Sequence, residues 1–183
     1  MLTLIFIENS KDFQTLAHTN RIQLFLQYKQ AEYKYIKLVN ETDAQAIKMK
    51  EELQIKSFPV LINQTNEHKE IFENSLHAMR EIEEEHPHPI GFIGPVESLF
   101  QSTGLLLPKT FSSQSNETII KFFTTIFEEI IDKIEYSDFL MGPTFSVADC
   151  VLAGDLQAIE KCFNVSLPTE ISEYIIRVSK KCI

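Results

Sequence analysis

The chain opens on a nearly continuous apolar run, LTLIFI at 2–7, the pattern of a strand buried on both faces. A polar stretch at 8–12 follows. Residues 13–29 then take helical spacing, with Phe13, Leu16, Ala17, Leu24 and Phe25 available for burial. Residues 32–39, rich in Tyr, Ile and Val, read as a second strand. A strand, a helix and a strand in that order predict a right-handed crossover and a parallel pair. Thr42 with Gln45 forms a capping-box pattern that opens a helix to residue 53. SFPVLI at 57–62 is a turn into a third strand, 63–67 a turn, and 69–72 a fourth strand. Asn74 or Ser75 then caps a helix to residue 84.

Beyond residue 85 the pattern changes to helices alone. His86-Pro87-His88-Pro89 breaks the periodicity and marks a linker at 85–90. A helix is expected within 91–107, starting near Pro95, and a polar loop at 112–116. Ile119, Phe122, Phe123, Ile126, Phe127, Ile130, Ile131 and Ile134 share one wide stripe of a core-facing helix. The segment 139–163 reads as a loop locked onto a buried helix. Ser146 is its N-cap and Asp149 completes a capping box, with Phe145 and Cys150 placed as a hydrophobic staple. Leu167-Pro168 precedes a last amphipathic helix carrying Ile171, Tyr174, Ile175 and Val178.

At 183 residues and 44% hydrophobic content the chain is long enough for a core in one ordinary domain or two small ones. Its net charge of −9 argues against gripping nucleic acid through phosphate neutralisation. Cys150, Cys162 and Cys182 are odd in number and widely spaced, which points to a reducing, cytoplasmic setting rather than a disulfide framework. No apolar run approaches the length of a membrane span, and MLTLIFIENS reads as a first strand rather than a leader. His86 and His88 are two ligands at most, with no supporting cluster at ligand spacing, so no metal site is expected. Glu83-Glu84-Glu85 reads as a solvated face.

The first seven elements, β-α-β-α-β-β-α, follow the order of a thioredoxin-like domain. The string Leu140, Gly142, Phe145, Ser146, Ala148, Asp149, Leu152 resembles the box that opens the buried helix in the C-terminal domain of the glutathione transferase superfamily. Ser57-Phe58-Pro59-Val60-Leu61 resembles that superfamily's proline turn, and Phe72-Glu73-Asn74-Ser75 its acidic-serine motif. The resemblance implies a thioredoxin-like α/β N-terminal domain (1–84), a linker (85–90) and an all-helical glutathione-transferase-like C-terminal domain (91–183).

The same resemblance sets what chemistry to look for. Members stabilise the glutathione thiolate with a hydroxyl or thiol after the first strand, which requires a donor aimed at sulfur. Here Phe6 and Ile7 end that strand, and Leu16, Ala17 and His18, flanked by Thr15 and Thr19, precede Arg21. Ser10 is the one hydroxyl of the loop and a weak catalytic candidate. Phe58, Pro59, Glu73, Asn74 and Ser75 are the positions that would hold glutathione if binding is retained. The expectation is therefore a non-catalytic interaction module with no cofactor, although glutathione binding stays open. It resembles the domains of the elongation-factor-one gamma subunit and of aminoacyl-tRNA synthetases and their scaffold proteins. Its expected partners are other such domains or a second copy, in a translation-related complex, with Leu99 and Phe100 as interface candidates. An active glutathione transferase is the alternative, and a metaxin-like membrane-associated member a more distant one.

Overall fold

The computed structural model describes residues 1–91 and 116–183. The expected helix near Pro95 and the interface candidates Leu99 and Phe100 lie outside the described residues. The elements run β1 Leu2–Ile7, α1 Phe13–Tyr28, β2 Tyr33–Leu38, α2 Ala44–Leu53, β3 Val60–Gln64, β4 Lys69–Phe72 and α3 Ser75–Glu85. Among the described residues three further helices follow: α4 Asn116–Ile134, α5 Val147–Phe163 and α6 Thr169–Lys181. This is a thioredoxin-like α/β layer followed by an all-helical glutathione-transferase-like layer.

The sheet order is β2-β1-β3-β4. β1 pairs parallel with β2 from Leu2↔Tyr33 to Ile7↔Leu38, and antiparallel with β3 from Leu2↔Asn63 to Ile5↔Val60. β3 and β4 close the sheet as an antiparallel pair. The alternation along β1 divides its apolar side chains between two cores. Leu2, Leu4 and Phe6 face α1, α3 and the helical layer; Ile5 and Ile7 face α2 and its flanks with Leu38, Ala46, Phe58 and Val60. The first of these clusters runs without a break from β1 through Phe25, Met79 and Ile82 to Phe123, Phe127, Val151, Leu152 and Tyr174. Full burial of each such Leu or Phe contributes about 1.5–3 kcal/mol, so this shared core ties the two layers together.

The connection is clamped as well as packed. Lys29, its side chain fully buried, pairs with Glu83 Oε2 at 2.8 Å and donates to Pro89 O. Glu83 accepts in turn from Gly91 N, and Gly91 O accepts from Val147 N at 2.8 Å. A Cβ on Gly91 would lie 2.5 Å from the Phe25 ring, so only glycine lets the chain pass there. Both Phe58–Pro59 and His88–Pro89 are cis.

Several element ends differ from the sequence reading, three of them beyond a simple shortening. α2 is capped by Asp43, which accepts from Ala46 N at 2.7 Å, while Thr42 turns back to Asn40. A carboxylate is the stronger acceptor for the positive end of a helix. Asn116, expected in the loop before α4, is already helical. β3 runs on to Gln64, since Asn63 and Gln64 pair with Glu70 and Lys69 where a turn was expected.

Candidate functional site

The loop between β1 and α1 is organised by two side-chain acceptors. Ser10 Oγ accepts from Asp12 N at 3.2 Å, and Asp12, the N-cap of α1, accepts from Thr15 N at 2.7 Å. This turn brings the first helical residues against the Phe58–Pro59 edge. Between them lies a cleft of about 530 Å³ lined by Asp12, Gln14, Thr15, His18, Glu41, Ser57, Phe58, Pro59 and Glu73. Thr15 and His18, three apart on α1, share the helix face that meets the cleft.

Glu73 holds the opposite wall. Its Oε2 accepts from Lys56 N at 2.7 Å and from Ser57 N at 3.3 Å, so the carboxylate braces the turn that leads into Pro59. Glu41 pairs with Lys50, whose ammonium also sits 5.5 Å from the centre of the Phe58 ring. Of the residues singled out from sequence, Phe58, Pro59 and Glu73 line the cleft. Asn74 caps α3, accepting from Leu76 N and His77 N. Ser75 is buried behind His18, and Ser10 serves the turn. Ser146 and Asp149 sit in the helical layer, buried at the start of α5.

His18 anchors a line of polar contacts that leads from the cleft into the helical layer. Its Nδ1 is 2.7 Å from Ser75 Oγ, which also accepts from Arg21 Nη1 at 3.5 Å. Arg21 then grips Asp155 with both carboxylate oxygens, Nε to Oδ1 at 2.6 Å and Nη2 to Oδ2 at 2.7 Å. Burial first, and then the Arg21 charge, lower the His18 pKa from 6.5 to about 4, against a smaller opposing pull from Asp12. The imidazole is therefore neutral near pH 7. Neither His18 nor Thr15 was singled out as a site residue in the sequence. The signal available was their three-residue spacing just after the Asp12 cap.

A larger cavity, about 880 Å³, lies between α4 and the α5–α6 connection, lined mainly by Ile119, Ile120, Phe127, Ile131, Phe163 and Pro168. Cys162 borders it, with its thiol pushed up chiefly by burial, so this wall offers apolar surface rather than a nucleophile. Among the described residues no group of three His, Cys, Asp or Glu side chains could hold a metal ion, and no helix is long and apolar enough to cross a membrane.

No family model and no curated protein matches this chain. Solved structures do resemble it over nearly its whole length. Maleylacetoacetate isomerase from Anaeromyxobacter dehalogenans 2CP-1, with glutathione bound in its active site, superimposes with a TM-score of 0.63 at 16% identity, covering 99% of this chain and 90% of that one. A glutathione transferase from Methylococcus capsulatus gives 0.68 at 14% identity, covering 97% and 92%. A ternary complex of BphK, a bacterial glutathione transferase, gives 0.70 at 14% identity, covering 98% and 96%. At these identities the likeness speaks for the fold alone.

Proposed function

We propose that the cleft between α1 and the Phe58–Pro59 edge binds glutathione, and that the protein acts as a glutathione transferase. The observation that carries this reading is the joining of three features in one cleft: the first turn of a helix, the Phe58–Pro59 edge and the carboxylate of Glu73. The main chain at Phe58 offers donors and acceptors to an extended tripeptide. Glu73 keeps Oε1 for the ammonium of the γ-glutamyl end while Oε2 holds the turn. Ser57, Gln14 and His18 bring polar side chains to the same cleft. Two of the three similar structures described above are glutathione transferases, and the third holds bound glutathione.

Calorimetric titration with glutathione and with S-hexylglutathione tests the reading, followed by turnover of an aryl halide. Saturable binding that weakens in Glu73→Gln, together with conjugation above the uncatalysed rate, is the expected result. No binding of either peptide overturns it.

One observation favours a second reading, that of an interaction module without turnover. Asp12, Glu41 and Glu73 give the cleft an acidic lining, and among the described residues neither lysine nor arginine lines it. A peptide with two carboxylates meets repulsion there. Under this reading the partner is another domain of the same fold or a second copy, and the translation-related assembly suggested by the sequence is its setting. Binding without conjugation, with a stable association in solution mass measurements, is its signature.

A further inference from the structure

We propose that His18 is the group that holds the bound thiol as a thiolate, donating a hydrogen bond from Nε2 while Ser75 and Arg21 fix its tautomer. The inference rests on the glutathione reading of the cleft and deepens it by naming the residue that meets sulfur.

The tautomer follows from donor and acceptor counting. Arg21 has only donors, so at Ser75 Oγ it can only give a proton to the shared bond. Ser75 is 2% exposed, and the other polar atom at its hydroxyl is His18 Nδ1, at 2.7 Å. Among the described residues no other acceptor meets this buried hydroxyl, so its proton goes to Nδ1, which accepts. A neutral imidazole that accepts at Nδ1 carries its proton on Nε2. Every buried side-chain nitrogen and oxygen among the described residues has a partner. Nε2 of His18 has no partner among the described residues, so it belongs to the accessible part of the ring on the cleft wall.

The surroundings keep the ring in this state. Arg21 on α1 opposes a second positive charge, and the guanidinium is itself locked by Asp155 on α5. Asp12 on α1 favours the cation but is the smallest contributor. Glu41 and Glu73 face the same cleft from the α2 and α3 sides. Four other positions are less suited. Phe6 and Ile7 have no donor, and Ser10 is held in a turn off the cleft. Thr19 gives its hydroxyl proton to Thr15 O at 2.7 Å. In the step itself the thiol S–H bond breaks and its proton leaves to solvent. His18 keeps its own proton and shares it with the sulfur, so the imidazole stays neutral throughout. A fixed donor aimed at developing negative charge lowers the thiol pKa without reorganisation when the reaction occurs.

The test uses the full chain and reduced glutathione. The ultraviolet thiolate band of the bound peptide is followed against pH in the wild type, His18→Phe and His18→Gln. S-methylglutathione, which has no thiol to ionise, reports binding separately. In the wild type the bound thiol should ionise below its value in water. His18→Phe should raise that midpoint by about one unit, a tenfold loss of thiolate at fixed pH below it. His18→Gln, which keeps an N–H donor, should recover part of the loss. An unchanged midpoint in His18→Phe, with S-methylglutathione still bound, overturns the proposal and leaves the cleft reading standing. Failure of the wild type to bind S-methylglutathione removes both. If His18→Phe does not fold, nitrogen-15 imidazole spectra of the wild type decide: protonation at Nε2 alone supports the assignment, and protonation at Nδ1 overturns it.

Discussion

Tyr174 on α6 donates its hydroxyl to Oδ1 of Asp149 on α5 at 2.7 Å, with both residues wholly buried. The same carboxylate accepts from Leu140 N, Ser146 N and Ser146 Oγ. One side chain thus joins a loop, a helix start and a second helix. Burial raises the Asp149 carboxyl above its usual range, and the four donors oppose that rise. Tyr174→Phe removes one donor and should cost about 1–3 kcal/mol. Ser146→Ala should cost about 0.5–2 kcal/mol. Asp149→Ala strands four donors at once and should cost the most. Urea unfolding of the three variants tests the ranking, and an unchanged midpoint for Asp149→Ala would show that this junction does not hold the layers together.

Arg21 and Asp155 form the second tie between layers. Asp155 is 1% exposed and Arg21 is its one charged partner among the described residues. Arg21→Ala leaves a buried, unpaired carboxylate, at a cost of about 3–5 kcal/mol. Arg21→Lys should recover little, because the two-pronged grip needs a planar guanidinium. Thermal denaturation of both variants measures this, and near-wild-type stability of Arg21→Lys would mean that charge alone suffices.

Gly154 lets α1 and α5 approach backbone to backbone. A Cβ there would sit 2.9 Å from Arg21 N and 3.2 Å from Arg21 Cα, and neither atom can move without shifting α1. Gly154→Ala should therefore destabilise by about 1–3 kcal/mol, although alanine is the better helix former. A gain in melting temperature would show that the helices can separate freely.

His18 gives stability a pH dependence of definite sign. Its pKa falls from 6.5 in the unfolded chain to about 4 in the fold, so the unfolded state holds more protons between those values. The penalty is absent above pH 6.5 and grows as pH falls toward 4, to a total of roughly 3 kcal/mol. Asp149 and Asp155 act in the opposite direction. Burial raises both carboxyls, so their contribution favours the fold at low pH and is lost as pH rises through their folded values. The difference between wild type and His18→Gln isolates the histidine. That difference should narrow between pH 6.5 and 4 as the wild type loses stability, and a constant gap across the range would contradict a buried neutral ring.

Glu73 should separate binding from folding. Its carboxylate holds Lys56 N and Ser57 N at the surface, so Glu73→Ala should loosen the Pro59 turn at a stability cost of about 1 kcal/mol. Glutathione affinity should fall by more than that loss explains, because the ammonium contact goes too. Equal glutathione titrations for wild type and variant would place the peptide elsewhere.

Much of the architecture is carried by local pattern. The buried run at 2–7, the crossover order, the isoleucine and phenylalanine stripe of α4 and the Ser146–Asp149 box each follow from spacing along a strand or helix, which the chain dictates before it folds. Phe58, Pro59 and Glu73 are legible for the same reason, since turn and cap chemistry act over a few residues. The site beyond them is not. Nothing local distinguishes His18 from any half-buried helical histidine. Its partner Ser75 stands 57 residues away, and Asp155, which holds Arg21 in the same line of contacts, stands 134 residues from Arg21. The choice of Thr15 over Ser10 for the cleft wall likewise depends on where α1 starts, and Asp12 decides that by capping the helix between them. Short-range geometry determines which elements form. Which neutral or charged groups meet in the cleft is settled only when packing brings distant segments together and removes the water between them.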